Sequence, residues 1–236
     1  MLFIQCNDKA KVEDEMSLDS HLTSMSQLVG YHTLSPAAGL APDREVLPTG
    51  MRAVDELLDG GFVAGGTHCI SGEPTSGASS LLYQAVASAQ AQGVPVLYLD
   101  MAGRFDRPKA AAAGVDLERL PLHSETSLEK ALLLIRGQMR RGLPGLLVFD
   151  HPAPLPLARL RASLRDAPLT LLALSQGSLP GMQVSLECLR QEWRMERGTA
   201  VGFISEVRLT AHPFLPYRQV RACFDVSRGE ACSARR

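Results

Sequence analysis

The chain has 236 residues, 45% of them hydrophobic and 21% charged, which suits one α/β domain with an appendage and a full buried core. Its net charge of −1 supplies no global electrostatic footprint for nucleic acid. No apolar run approaches the roughly 18 residues of a membrane span, and the first residues lack a basic region followed by an apolar core, so a cytoplasmic protein with no membrane partner is expected. Cys6, Cys69, Cys188, Cys223 and Cys232 are odd in number and form no C-x-x-C pair, which favours reduced core thiols over zinc or a disulfide framework. His21, His32, His68, His123, His151 and His212 show no ligand spacing and no nucleophile partner, so neither a metal site nor a separate hydrolase site is expected.

Residues 1–30 are acidic and predict a short amphipathic helix near 12–29. Residues 31–48 carry the Pro/Gly signature of a linker, making 1–48 a candidate docking or oligomerisation arm. Thr49 opens a helix with Met51, Val54, Leu57 and Leu58 at helical spacing, ended by Gly60-Gly61. Thr67–Ser71 reads as a strand, 72–78 as a loop, and Ser79–Gln92 as a helix with Leu81, Leu82, Ala85, Val86 and Ala89 facing a core. A strand over Val94–Asp100, a helix over Arg107–Ala113 and another over Ser127–Arg141 follow. Leu146–Asp150 and Leu169–Ser175 read as further buried strands. Strands alternating with helices predict a parallel sheet covered on both faces. After residue 185 the period falls to two, with alternation around Leu189–Met195, Val201–Leu209 and Val220–Val226. That pattern predicts an antiparallel meander extending the sheet, with Trp193 as a packed strand residue. The core therefore spans 49–228, and 229–236 reads as a disordered tail.

Gly72-Glu-Pro-Thr-Ser-Gly-Ala-Ser-Ser80 follows the phosphate-loop pattern G-x-x-x-x-G-K-[ST] except that Ala78 stands where the lysine belongs. Strand, glycine loop and helix are the context that pattern requires. Gly72, Gly77 and the N–H groups at the helix start can hold an anion without the lysine, so weak ATP or ADP binding is kept as an expectation, with no cofactor required. Ser79 and Ser80 complete the loop; Ser79 also reads as a good N-cap.

The order and spacing of these elements resemble the RecA-type strand-exchange ATPases over residues 49 to about 176. The matching residues are Thr49-Gly50, the helix carrying Asp55, Gly60-Gly61, the loop Gly72–Ser80, Leu97-Tyr-Leu-Asp100 with Asp106, and Gly114-Val-Asp-Leu. The strand Leu146–Asp150 and Leu174-Ser-Gln176 complete the set. The resemblance implies a RecA-like parallel sheet and assigns Ser79 to the Mg²⁺-ligating hydroxyl, Asp150 to the second carboxylate and Gln176 to the nucleotide-sensing position. Each also has a plain structural reading. Ala78 cannot neutralise the terminal phosphates, and Ala102 falls where the family's water-orienting glutamate would stand, so no enzyme is expected. The two loops that contact DNA in the family correspond to His151–Pro156 and 177–184. The first is stiff and uncharged apart from its histidine, and the second lacks Lys and Arg, so at most a weak DNA contact is implied.

Arginines gather elsewhere: Arg136, Arg140 and Arg141, then Arg159, Arg161 and Arg165, and Arg190 and Arg194 beside Trp193. They read either as solvated, dipole-complementing faces or as a DNA or acidic-partner surface. Among RecA-like groups the chain most resembles the ImuA-type accessory proteins of damage-induced mutagenesis. That resemblance implies a non-catalytic role, with RecA and an error-prone polymerase-like partner as contacts. Two alternatives stand beside it: a residual nucleotide switch or slow ATPase using a lysine from elsewhere, such as Lys109 or Lys130, or an arginine from a neighbouring subunit as the replacement cation, and a cell-division or signalling adaptor.

Overall fold

The computed structural model describes residues 45–124, 127–139, 145–150, 169–225 and 231–232. The expected helix near 12–29 and its linker up to residue 44 lie outside the described residues. Two short strands, β1 (Val46–Leu47) and β2 (Phe62–Val63), form a small antiparallel pair at the entry to the core. Between them, helix α1 (Arg52–Leu57) is tied by its own sequence. The Thr49 N–H donates to Asp55 Oδ1 at 2.6 Å, and the Met51 N–H donates to Thr49 Oγ1 at 3.2 Å. Gly61 ends the turn at φ +141°, where a Cβ would run into the backbone of Leu47 and Pro48.

Among the described residues the main sheet has nine strands, in the order β11 (Ala231–Cys232), β10 (Arg218–Asp225), β9 (Thr199–Ala211), β8 (Val184–Glu196), β3 (Thr67–Ser71), β7 (Thr170–Ser175), β6 (Leu146–Asp150), β4 (Val96–Asp100) and β5 (Leu122–His123). Its parallel part holds β3 (Thr67–Ser71), β4 (Val96–Asp100), β5 (Leu122–His123), β6 (Leu146–Asp150), β7 (Thr170–Ser175) and the start of β8 (Val184–Glu196). Helices α2 (Ala78–Ala91), α3 (Arg107–Ala112) and α4 (Leu128–Met139) connect these strands. Every residue of β4 and β6 is buried. Alternate residues serve opposite faces, as a two-residue period requires. Ile70, Tyr98, Val148 and Leu172 pack with Leu81, Leu82 and Val86 of α2, whereas Cys69, Leu99, Phe149 and Ala173 pack with Ala131, Leu132 and Ile135 of α4. Each fully buried Leu or Val contributes about 1.5–3 kcal/mol, so this double-sided sheet is where the stability resides.

The expected meander is β8, β9 (Thr199–Ala211) and β10 (Arg218–Asp225), paired antiparallel in succession. Its attachment was not foreseen: β8 runs parallel to β3 over Val184–Glu187, then leaves it and continues with β9 alone. That departure explains a correction. Trp193, expected to be packed, lies beyond the point where β3 ends and is 47% exposed, with one edge against Phe203. Within the segment expected as a tail, β11 (Ala231–Cys232) pairs with β10. No helix among the described residues is long and apolar enough to cross a membrane.

His68, on β3, is fully buried, lies 4.9 Å from the Phe62 ring, and donates from Nε2 to the Val63 carbonyl at 2.8 Å. Burial lowers its pKa from 6.5 to about 4. The folded state therefore resists a proton that the unfolded state accepts, so stability is intact above about pH 6.5 and falls as pH drops through 4. Denaturant titrations across that window should show an acid arm of up to about 3 kcal/mol. His68→Gln, which keeps a donor toward Val63, should flatten that arm; an unchanged pH slope would assign it to other groups.

Candidate functional site

The carboxyl ends of β3, β4, β6 and β7 meet at one edge, where an open parallel sheet offers its crevice. Register pairs Ser71 with Ser175 and Asp100 with Asp150. The loop Gly72–Gly77 leaves β3 here and enters α2 through Gly77, which sits at φ +99°. A cavity of about 210 Å³ lies above it, lined by the whole loop with Ala78, Ser79, Arg104, Lys109 and Leu174–Gln176.

The loop is bedded from behind by the meander. A Cβ on Gly77 would come within 2.8 Å of Phe224 and 3.1 Å of Phe203, two rings stacked 5.0 Å apart. A Cβ on Gly72 would strike the Ser76 hydroxyl and come within 2.7 Å of the Cys188 carbonyl. Ser205 Oγ, fully buried on β9, donates to the Ser76 carbonyl. Both glycines are thus required by packing alone, whatever the cavity holds.

Ala78 opens α2 with a methyl group and is buried. The cations come from another segment. Arg104, after β4, lines the cavity and forms an ion pair through Nη2 with Asp150 Oδ1. Asp150 is 1% exposed and is not among the lining residues, so Arg104 stands between it and the cavity. Asp100 accepts from the Arg104 N–H at 3.0 Å and the Phe105 N–H at 3.1 Å, which folds the 101–105 turn over the strand end. Ala102 lies in that turn. Asp106 accepts from the Lys109 N–H at 3.0 Å and so caps α3, bringing Lys109 to the cavity wall. Burial lowers the Lys109 pKa, and Asp106 partly offsets this.

Of the residues expected at this site, Gly72, Gly77, Ala78, Ser79 and Gln176 line the cavity. Ser80 turns into the core instead, and Asp150 lies behind Arg104. Lys109 reaches the cavity, and Lys130 on α4 does not line it. Arg104 was missed by sequence reasoning, although its place four residues after the strand-end Asp100 was a usable signal. Of the arginine surface, Arg140, Arg141, Arg159, Arg161 and Arg165 lie outside the described residues, as does the loop at 151–156. Arg136 is exposed on α4. Arg190 donates to Thr75 Oγ1 at 2.6 Å and lies 5.1 Å from the Trp193 ring centroid, so it grips the phosphate-type loop. Arg194 donates to Cys223 Sγ and reaches Glu196 at 4.0 Å. The loop at 177–184 is stapled down: Leu179 and Met182 are buried, and the Gln183 N–H donates to the Thr67 carbonyl at 2.9 Å.

A parallel sheet flanked by helices, a glycine loop at the carboxyl end of its first long strand and an antiparallel C-terminal extension define a RecA-like α/β fold. Sequence comparison supports the same superfamily. The chain is 30% identical over 203 residues to protein RecA of Streptomyces avermitilis, covering 84% of this chain and 52% of that protein. It is 29% identical over 202 residues to protein RecA of Streptomyces ambofaciens, with the same coverage of each. It is 27% identical over 202 residues to protein RecA of Mesomycoplasma hyopneumoniae, covering 84% of this chain and 58% of that protein. The chain thus spans about half the length of these curated relatives, and no family model matches it.

Phosphate loops of this type serve Mg²⁺-bound nucleotides, which need a strand-end carboxylate open to the metal and a lysine on the loop. Here the carboxylate is held by Arg104 and the loop offers Ala78, so the residues present do not fit a Mg²⁺-nucleotide.

Gly77→Ala should destabilise the protein by about 1–3 kcal/mol, through its positive φ and the Phe224 ring, with no ligand added. Thermal unfolding of the unliganded variant is the check; an unchanged midpoint would mean that the loop is not held by the meander.

Proposed function

We propose that this chain is a non-catalytic RecA-like accessory protein of the bacterial DNA damage response, acting by contact with RecA and with an error-prone polymerase-like partner. The observation that carries this reading is the Arg104–Asp150 pair beside a loop that presents Ala78. In this reading Ala78 replaces the loop lysine and Ala102 the water-orienting glutamate, so hydrolysis lacks both its phosphate clamp and its base. Two further features support it. The 177–184 segment is packed onto the sheet rather than free to follow DNA, and the Arg190 side chain is spent on the loop itself. A RecA-shaped surface without an ATP-driven switch would cap or destabilise a RecA filament rather than extend it. The ImuA-type resemblance supplies the biological frame, and the docking arm expected over 1–48 would be the part of that span that precedes β1, which pairs with β2.

RecA's ATPase on single-stranded DNA, titrated with this protein, should be inhibited at stoichiometric amounts. No effect across an excess would overturn the reading and leave an adaptor on a RecA-like fold.

One observation favours a second reading, a residual nucleotide-responsive site: Lys109 lines the cavity and is partly desolvated, as a replacement cation would be. That reading predicts slow phosphate release from ATP above a mock preparation, abolished by Lys109→Ala. Release at mock level would end it.

A further inference from the structure

Asp100 and Asp150 sit side by side at the ends of β4 and β6, 5% and 1% exposed. Two adjacent buried carboxylates require compensating donors or cations. In this chain both are answered by one segment. Asp100 is satisfied by the backbone N–H groups of Arg104 and Phe105, while Asp150 receives the Arg104 guanidinium. The Arg104 side chain is 35% exposed, but it leaves an anchored stretch of backbone. Its backbone is fixed by Asp100, and the turn after it is fixed by Tyr83, whose hydroxyl accepts the Asp106 N–H at 2.9 Å. The Tyr83 and Phe105 rings meet edge to face 5.6 Å apart, and Tyr98 packs on the same Phe105 ring at 4.8 Å. The 104–106 segment is therefore held at both ends.

From this geometry we infer that Arg104 is a built-in replacement for a divalent cation: it occupies the place beside Asp150 that a metal would take, and the site excludes Mg²⁺ and Mn²⁺. A dication entering there would have to displace the guanidinium from Asp150, while the backbone that carries it is held in place by Asp100 and Tyr83. It would also leave that guanidinium a few ångströms from two positive charges. The hard-oxygen ligands that Mg²⁺ and Mn²⁺ prefer are present, Asp150 with Ser79 on the cavity wall, but the carboxylate is already neutralised. The inference rests on reading this cavity as the RecA-like nucleotide locus. Its test involves neither RecA nor ATP, so the two can fail separately.

The test is a titration with Mn²⁺ alone, following free Mn²⁺ by electron paramagnetic resonance and checking folding by circular dichroism. The wild-type chain should show no Mn²⁺ site that depends on Asp150. Arg104→Ser should gain one site per chain with an affinity at least tenfold above wild type, and Arg104→Ser/Asp150→Asn should lose it again. Arg104→Lys, which keeps the positive charge, should exclude Mn²⁺ as the wild type does. A wild-type site abolished by Asp150→Asn would overturn the inference without recourse to any Arg104 variant. So would a folded Arg104→Ser chain that binds Mn²⁺ no better than wild type.

Discussion

Asp100 and Asp150 end neighbouring strands in direct register, and burial at that edge leaves them only 5% and 1% exposed. One wall of the cavity follows from how that pair is satisfied. A carboxylate so placed must find donors within a few residues or a cation within reach, because an unpaired buried charge costs several kcal/mol. Arg104 meets both needs, its N–H serving Asp100 and its side chain serving Asp150. The turn this demands sets the start of α3, and α3 in turn brings Lys109 to the cavity wall. The positive charge that lines the cavity is thus carried by this segment, which faces the phosphate-type loop.

The opposite wall of the cavity is governed by packing rather than charge. Phe203 and Phe224 stack beneath Gly77, Cys188 presents its carbonyl to Gly72, and Ser205 holds the Ser76 carbonyl. These contacts preserve the glycine spacing for steric reasons. Glycines in this motif are therefore poor witnesses to nucleotide binding in this chain. The informative positions are the charged ones that line the cavity, Arg104 and Lys109.

Much of the architecture was legible in the sequence because buried parallel strands advertise themselves as short apolar runs. Thr67–Ser71 and Leu146–Asp150 have the boundaries their composition suggests, and the period-two segments after residue 185 are strands. What could not be read was non-local. The parallel pairing of β8 with β3 depends on residues more than a hundred positions apart, and no local pattern encodes it. Trp193 looked packed because alternation continues past Glu187, yet the neighbouring strand does not. Within the site, the motif residues were visible but the ion pair was not. Arg104 sits in an irregular turn with no periodicity to mark it, and only the fold brings it to Asp150. The two-residue strands β1, β2 and β5 fall below the length at which hydrophobic pattern carries any signal.

The Ser205-to-Ser76 hydrogen bond spans 129 positions, and the phenyl rings under Gly77 come from strands near the chain's far end. On a ribosome, strand β3 and its loop emerge long before their bed exists. The glycine turn therefore cannot be held in its final shape until β9 and β10 have been made. Until the final strands arrive, the nascent chain carries an apolar sheet edge at β3 with no neighbour on that side.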